Sequence, residues 1–281
     1  MQKLDRLRWA GGLVFEAYGM RMGVRSSEPG LLDRILEVLP PGSRPAADPE
    51  VDYLFSLRVG RDRGTIRGYH LLYLGVIRRA RTLDLEEALA TLEADLRQAV
   101  AARARRLVFV HAGVVGLGGR AILLPGRSHS GKTTLVSELV RAGASYYSDE
   151  FALLDDRGRV HPFAKPLAIR EGKAVRRCPV EELGGTAGTE PLRVGAVVFA
   201  EHRRGARWRP VRQTAGQALL ALLSHTVPVR RRPRAALTAL ERALARATVL
   251  RGVRGEAREA ARALVERFGD WPAGVFPARA S

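Results

Sequence analysis

The stretch AILLPGRSHSGKTTL, residues 121 to 135, constrains this chain more than any other. A short apolar strand ends at Pro125. Gly126 follows, then four variable residues, Arg127, Ser128, His129 and Ser130, and then Gly131-Lys132-Thr133, which opens a helix predicted over 134–142. Glycine, four residues, then Gly-Lys-Thr between a strand and a helix is the phosphate-loop pattern in the context it requires. Its glycines let successive backbone N–H groups converge on phosphate oxygens, and the helix N-terminus adds partial positive charge. Lys132 is suited to neutralise the β- and γ-phosphates of a nucleotide such as ATP, and the Thr133 hydroxyl to ligate Mg²⁺. The candidate nucleotide-binding residues therefore run from Gly126 through Thr134. Among 47 basic residues only Lys3, Lys132, Lys165 and Lys173 are lysine, so a lysine at this place argues for a specific role rather than a generic surface charge.

The helix is expected to stop at Gly143, after which SYYSDE, residues 145–150, reads as a strand that delivers Asp149 and Glu150 beside the loop. Asp149 lies 17 residues past Lys132, which leaves room for one helix and one turn. In most phosphate-loop ATPases the acidic strand comes much later in the chain. Thr133, Asp149 and Glu150 are thus the candidate metal ligands. His111 stands 21 residues before Lys132, at the end of the predicted strand LVFV. A lone histidine on an apolar strand more often serves packing than chemistry, and its interest here comes from its neighbours.

The three spacings together resemble the catalytic domain of the HPr kinase/phosphorylase family. HAGVV (111–115), GRSHSGKT (126–133) and SDE (148–150) match that family's histidine-bearing strand, phosphate loop and paired acid at the same intervals, over about residues 107–172. The runs FVHAGVVGLGGRAILLPGRSHSGKTTL, YYSDEFALLDDRGRVHPFAKPLAIR and VDYLFSLRV resemble more closely the broad group of HPr-kinase-like proteins whose substrates are mostly unassigned. The resemblance implies an α/β, phosphate-loop, phosphoenolpyruvate-carboxykinase-like catalytic domain with a smaller N-terminal α+β part. It implies an ATP- and Mg²⁺-dependent serine kinase acting on a protein or peptide. It makes Lys132 the phosphate clamp, Thr133 a magnesium ligand, Asp149 the base for the attacking hydroxyl and His111 its neighbour near the γ-phosphate. Glu150 replaces the family's second aspartate, keeping the charge and adding a methylene. Arg170, in PLAIREG, falls where the family has an arginine able to stabilise charge on the transferred phosphoryl group. His129 stands where the family usually has glycine. The segment that grips HPr has no counterpart here, so the acceptor implied is a serine hydroxyl on something other than HPr.

The rest of the chain narrows the alternatives. A composition of 46% hydrophobic and 27% charged residues describes an ordinary globular chain and excludes wholesale disorder. The uncharged stretch 107–119 contains His111 and four glycines and falls short of the roughly 18 to 20 apolar residues of a membrane span. Lys3, Asp5, Arg6 and Arg8 interrupt the N-terminus before a secretory signal's apolar run develops, so a cytoplasmic protein is expected. A single cysteine, Cys178, excludes an internal disulfide, and no Cys/His cluster has zinc spacing.

Strands are predicted at 13–24, 52–59, 69–77 and 195–200. Helices are predicted at 31–39, 216–224 and 234–246, and a last one carries Ala257, Ala261, Leu264, Val265 and Phe268 on one face. Asp84 with Glu87 fits a capping box for a helix from 85 to about 105, and a border near Arg106 divides the chain into parts 1–105 and 106–281. Residues 201–281 hold 17 arginines against six acids and supply much of the net charge of +18. That excess reads first as a solvated surface and second as a route to nucleic acid. Two further readings stay open beside the kinase: a nucleotide-binding sensor without phosphotransfer, and a basic nucleic-acid-associated ATPase. No LSGGQ-like segment supports a transporter ATPase. Self-association into a homo-oligomer is compatible with the sequence.

Overall fold

The computed structural model describes residues 2–62, 64–65, 67–126, 130–172 and 174–270. The protein is a mixed α/β chain that divides into two compact units, Met1–Arg106 and Leu107–Ser281. Among the described residues no helix is long and apolar enough to cross a membrane.

The first unit opens with the short helix α1 (Gln2–Asp5), then runs through β1 (Gly11–Ala17), β2 (Met20–Ser26), α2 (Leu32–Glu37), β3 (Arg44–Pro45), β4 (Tyr53–Arg58), β5 (His70–Leu74), β6 (Ile77–Thr82) and α3 (Leu85–Arg103). Its six strands form one sheet in the order β3-β1-β2-β4-β5-β6. Two stretches that read as single strands are hairpins. Residues 13–24 fold back at Tyr18-Gly19, where φ is 54° and 80°. A two-residue turn that matches the strand twist needs positive φ at both positions, and apolar periodicity alone does not mark it. Residues 69–77 likewise break at Gly75 between β5 and β6. The cap of α3 also differs in detail. Asp84 accepts from the Glu86 amide, while the Glu87 carboxylate accepts from the Thr82 hydroxyl at 2.6 Å instead of closing a box.

The second unit contains β7 (Val108–Leu117), β8 (Arg120–Pro125), α4 (Lys132–Arg141), β9 (Ser145–Ser148), β10 (Phe151–Leu154), β11 (Arg159–His161), β12 (Leu167–Glu171) and β13 (Ala174–Cys178). It continues with β14 (Leu192–His202), β15 (Val211–Arg212), α5 (Ala215–Leu223), α6 (Pro233–Leu244), β16 (Thr248–Arg254) and α7 (Ala257–Phe268). The large sheet has the order β11-β10-β7-β8-β14-β16-β15, with β9 paired to β7. Within it β14 runs parallel to both β8 and β16. Parallel strands are buried on both faces, and the sequence supplies both covers. Ile122, Leu124, Ala196 and Val198 pack under Leu135, Val136 and Leu139 of α4 and Ala260, Ala261 and Leu264 of α7. Leu123, Val194, Val197 and Val249 pack on the other face under Leu222 of α5 and Ala236, Leu240 and Leu244 of α6.

Two differences from the sequence reading bear on the site. The strand carrying His111 runs on to Leu117, so the histidine lies within it rather than at its end. The strand SYYS stops at Ser148, leaving Asp149 and Glu150 in a bend before β10. In addition β16 was not anticipated, because Arg251 and Gly252 interrupt its apolar run.

Candidate functional site

Three chain segments meet at one end of the large sheet: the β8–α4 loop, the β9–β10 bend and the middle of β7. Gly126 follows Pro125 directly, and its amide donates to the His111 carbonyl at 3.3 Å. Arg127, Ser128 and His129, three of the candidate loop residues, lie outside the described residues. Ser130 leads into Gly131, the N-cap of α4, where φ is +80°. A Cβ at Gly131 would come within 2.5 Å of Arg254 Nη2 on a backbone of positive φ, and one at Gly126 within 2.6 Å of Ser130 Oγ, so a side chain at either position would displace that neighbour. The Lys132 ammonium curls back and donates to the Gly126 carbonyl at 2.8 Å. Burial lowers its pKa, and the charges of Asp149 and Glu150 oppose that shift. Thr133 follows in the first turn of α4, and Thr134 is exposed beside it.

The acids reach the loop through Ser148. Its hydroxyl accepts from the amides of Glu150 at 3.1 Å and Phe151 at 3.0 Å, which turns the chain between β9 and β10. Asp149 is 5% exposed and held from three sides. Thr133 donates to its Oδ2 at 2.9 Å, Tyr146 donates to its Oδ1 at 3.1 Å, and the Lys165 ammonium lies 3.2 Å from Oδ1. Lys165 also lies 3.6 Å from Glu150 Oε2, so one ammonium group spans both carboxylates. Burial, with the Asp149 charge added to it, raises the Tyr146 pKa far above its usual value, so the phenol is a fixed donor.

His111 is tied to the same bend. It pairs with Phe151 in the β7–β10 ladder, and the next amide, Ala112, donates to the Glu150 carbonyl at 3.1 Å. Its ring lies 4.7 Å from that of Phe151, centroid to centroid. Burial first, and then the Lys132 charge, lower its pKa below 6.5, with Glu150 acting in the opposite sense. A neutral imidazole beside an ammonium and a carboxylate accepts a hydrogen bond or a proton more readily than it donates charge.

Lys132, Thr133, Asp149, Glu150 and His111 are therefore gathered in one place. Arg170 is exposed on β12, opposite Val175 in the β12–β13 hairpin, and takes no part in the bonds just described. Sequence reasoning passed over three residues. Lys165 carried the same signal as Lys132, a lysine in a chain built on arginine. Tyr146 stood three places before Asp149. Arg254, 3% exposed, donates to the carbonyls of Gly131 at 2.8 Å and Gly255 at 3.1 Å. Nothing distinguished it among its many arginine neighbours.

The donor set suits a divalent cation only in company. Among the described residues no group of three or more His, Cys, Asp or Glu side chains is placed to hold a metal ion. A hydroxyl and two carboxylates that already share one cationic group fit Mg²⁺, which is usually bound through one or two carboxylates with water and phosphate oxygens completing its shell.

No family model and no curated protein matches the sequence. Among solved structures, one similar chain is the Hpr(Ser) kinase/phosphatase from Coxiella burnetii, at 13% identity and a TM-score of 0.36, covering 57% of this chain and 94% of that one. At that score and identity the likeness supports no statement about chemistry.

Proposed function

We propose that the Leu107–Ser281 unit binds ATP with Mg²⁺ and transfers the γ-phosphoryl group to a serine-type hydroxyl of a protein or peptide other than HPr. The observation that carries this reading is the Thr133–Asp149 hydrogen bond, which joins the residue after the loop lysine to the acid bend. Phosphoryl transfer asks a protein mainly for positioning and for charges placed where negative charge develops. Lys132 and the amides at the start of α4 bind and orient the terminal phosphates. Thr133, Asp149 and Glu150 would hold the metal, which when bound neutralises phosphate charge. Asp149 takes the proton of the acceptor hydroxyl as that oxygen bonds to the γ-phosphorus and the bond to the bridging β–γ oxygen breaks, releasing ADP. His111, neutral and beside Glu150, stands ready to accept a hydrogen bond from the incoming hydroxyl. Lys165 balances the acid pair before the ligand arrives.

The test is transfer of label from γ-labelled ATP to acceptors in a lysate of the source organism. Label that requires Mg²⁺ and disappears in Lys132→Ala, with the melting transition preserved, is the expected result. Unchanged labelling in that variant overturns the assignment.

A further inference from the structure

β8 ends at Pro125, opposite Ala112, so residues 108–111 of β7 extend past it. A segment of the α5–α6 connection takes the vacant place in the ladder. The His111 amide donates to the His225 carbonyl at 2.8 Å, the Val227 amide donates to the Phe109 carbonyl at 2.9 Å, and Val110 bridges Thr226. On the same edge of β7 the His111 carbonyl accepts from Gly126, the first residue of the phosphate loop. One residue of β7 thus seats the loop and the 225–227 segment side by side. Past Val227 the chain turns at Pro228, whose carbonyl accepts from the amides of Arg231 at 3.0 Å and Arg232 at 2.9 Å. Arg232 folds back and donates to the Leu107 carbonyl at 3.5 Å, while Arg230, Arg231 and Arg234 are exposed. Residues 202–240 include nine arginines and no Asp or Glu, so this rim brings no acid of its own.

We infer that residues 225–234 form the docking rim for the phosphoryl acceptor, and that the acceptor carries an acidic segment bound by Arg230, Arg231 and Arg234. The inference rests on the phosphotransfer reading above and deepens it by naming the class of acceptor. Its first support is position, since an acceptor hydroxyl that reaches Asp149 and His111 lies next to His225. The contact of Arg232 with Leu107 falls four residues of strand from His111, about 13 Å. An extended peptide with its serine beside His111 therefore brings residues about three to five positions away among the arginines. Charge is the second support. Guanidinium groups grip carboxylates with two parallel bonds, and arginine clusters are a recurring reader of acidic motifs. The third is anchoring. A merely solvated charge run needs no fixed backbone, whereas this one is held by ladder bonds, by the Pro228 turn and by buried Thr226, whose hydroxyl donates to the Leu222 carbonyl at 2.8 Å. Nucleic acid fits this rim less well, because phosphates laid along it would run toward the Asp149 and Glu150 carboxylates.

The test gives the full chain Mg²⁺, γ-labelled ATP and degenerate serine peptides in which each flanking position is fixed in turn. Wild type should select Asp or Glu over Lys by about fivefold or more at positions about three to five residues to one side of the serine. The combined variant Arg230→Glu, Arg231→Glu, Arg234→Glu should lose or invert that selection, through KM far more than kcat. All three positions are exposed, and melting curves check the fold. Equal labelling of acidic and basic peptides by wild type, or an acidic preference that the variant retains, overturns the docking rim while transfer itself upholds the phosphotransfer reading. Transfer without acidic preference that single-stranded RNA inhibits assigns the arginines to nucleic acid and overturns the rim likewise. Labelled lysate protein with no labelled peptide also overturns the rim alone. Failure of wild type to label either peptide or lysate protein overturns both.

Discussion

The Thr133 hydroxyl donates to Asp149 Oδ2 at 2.9 Å, and this one bond joins the first turn of α4 to the bend between β9 and β10. Asp149→Asn preserves the shape of that contact and removes the carboxylate proposed as the proton acceptor. The expected result is a loss of phosphotransfer of about 10²- to 10⁴-fold with ATP affinity changed far less. Steady-state rates and equilibrium binding on the same preparation check it, and wild-type turnover in the variant would contradict the assigned role.

Lys165 gives a prediction of opposite sign. Its ammonium lies 3.2 Å from Asp149 and 3.6 Å from Glu150, where it competes with any other cation for the pair. Lys165→Met should therefore raise the affinity for Mn²⁺ in the absence of nucleotide, by about tenfold for a modest change in local charge. Paramagnetic relaxation of water protons reads this directly. A fall in metal affinity would show that Lys165 instead supports the geometry of the site.

His111 supplies the pH dependence. Burial and the Lys132 charge hold its folded-state pKa below its usual 6.5, so the unfolded chain takes up the proton first as pH falls. The group therefore contributes stability that is present above about pH 6.5 and is lost as the pH falls toward the lowered pKa. Titration of the His111 ring signals by NMR should give a midpoint below 6.5 in wild type and a higher one in Lys132→Met, from which one of the two lowering influences has gone. An unchanged midpoint in the variant would contradict the proximity of the two groups.

Gly131→Ala places a methyl group 2.5 Å from Arg254 Nη2 on a backbone with φ of +80°. Strain and displacement together should cost about 1–3 kcal/mol. Chemical denaturation measures it, and a loss below about 0.5 kcal/mol would show that the loop accommodates a side chain freely.

What the sequence disclosed follows from how each feature is encoded. The β8–loop–α4 unit was legible because a glycine pattern, a lysine and two flanking periodicities are local and mutually consistent. The two-residue turn at Tyr18-Gly19 and the break at Gly75 were not, since a hairpin and one long strand share the same alternation. The approach of Asp149 to Thr133 was anticipated from chain spacing, but its three-sided hold was not. Tyr146 and Lys165 reach the carboxylate from different elements, and such tertiary contacts leave no periodic trace. Arg254 shows the limit most clearly, because in an arginine-rich segment only burial separates a positioning residue from a solvated one.

The most direct measurement of the central claim is Mg²⁺-dependent transfer from γ-labelled ATP by the full chain, in wild type and in Lys132→Ala. The account predicts labelled serine on a protein or peptide acceptor, abolished in the variant while its melting transition is retained. Phosphorylation that survives the loss of the Lys132 ammonium, or tight ATP binding in wild type with no transfer to any hydroxyl acceptor, would contradict it.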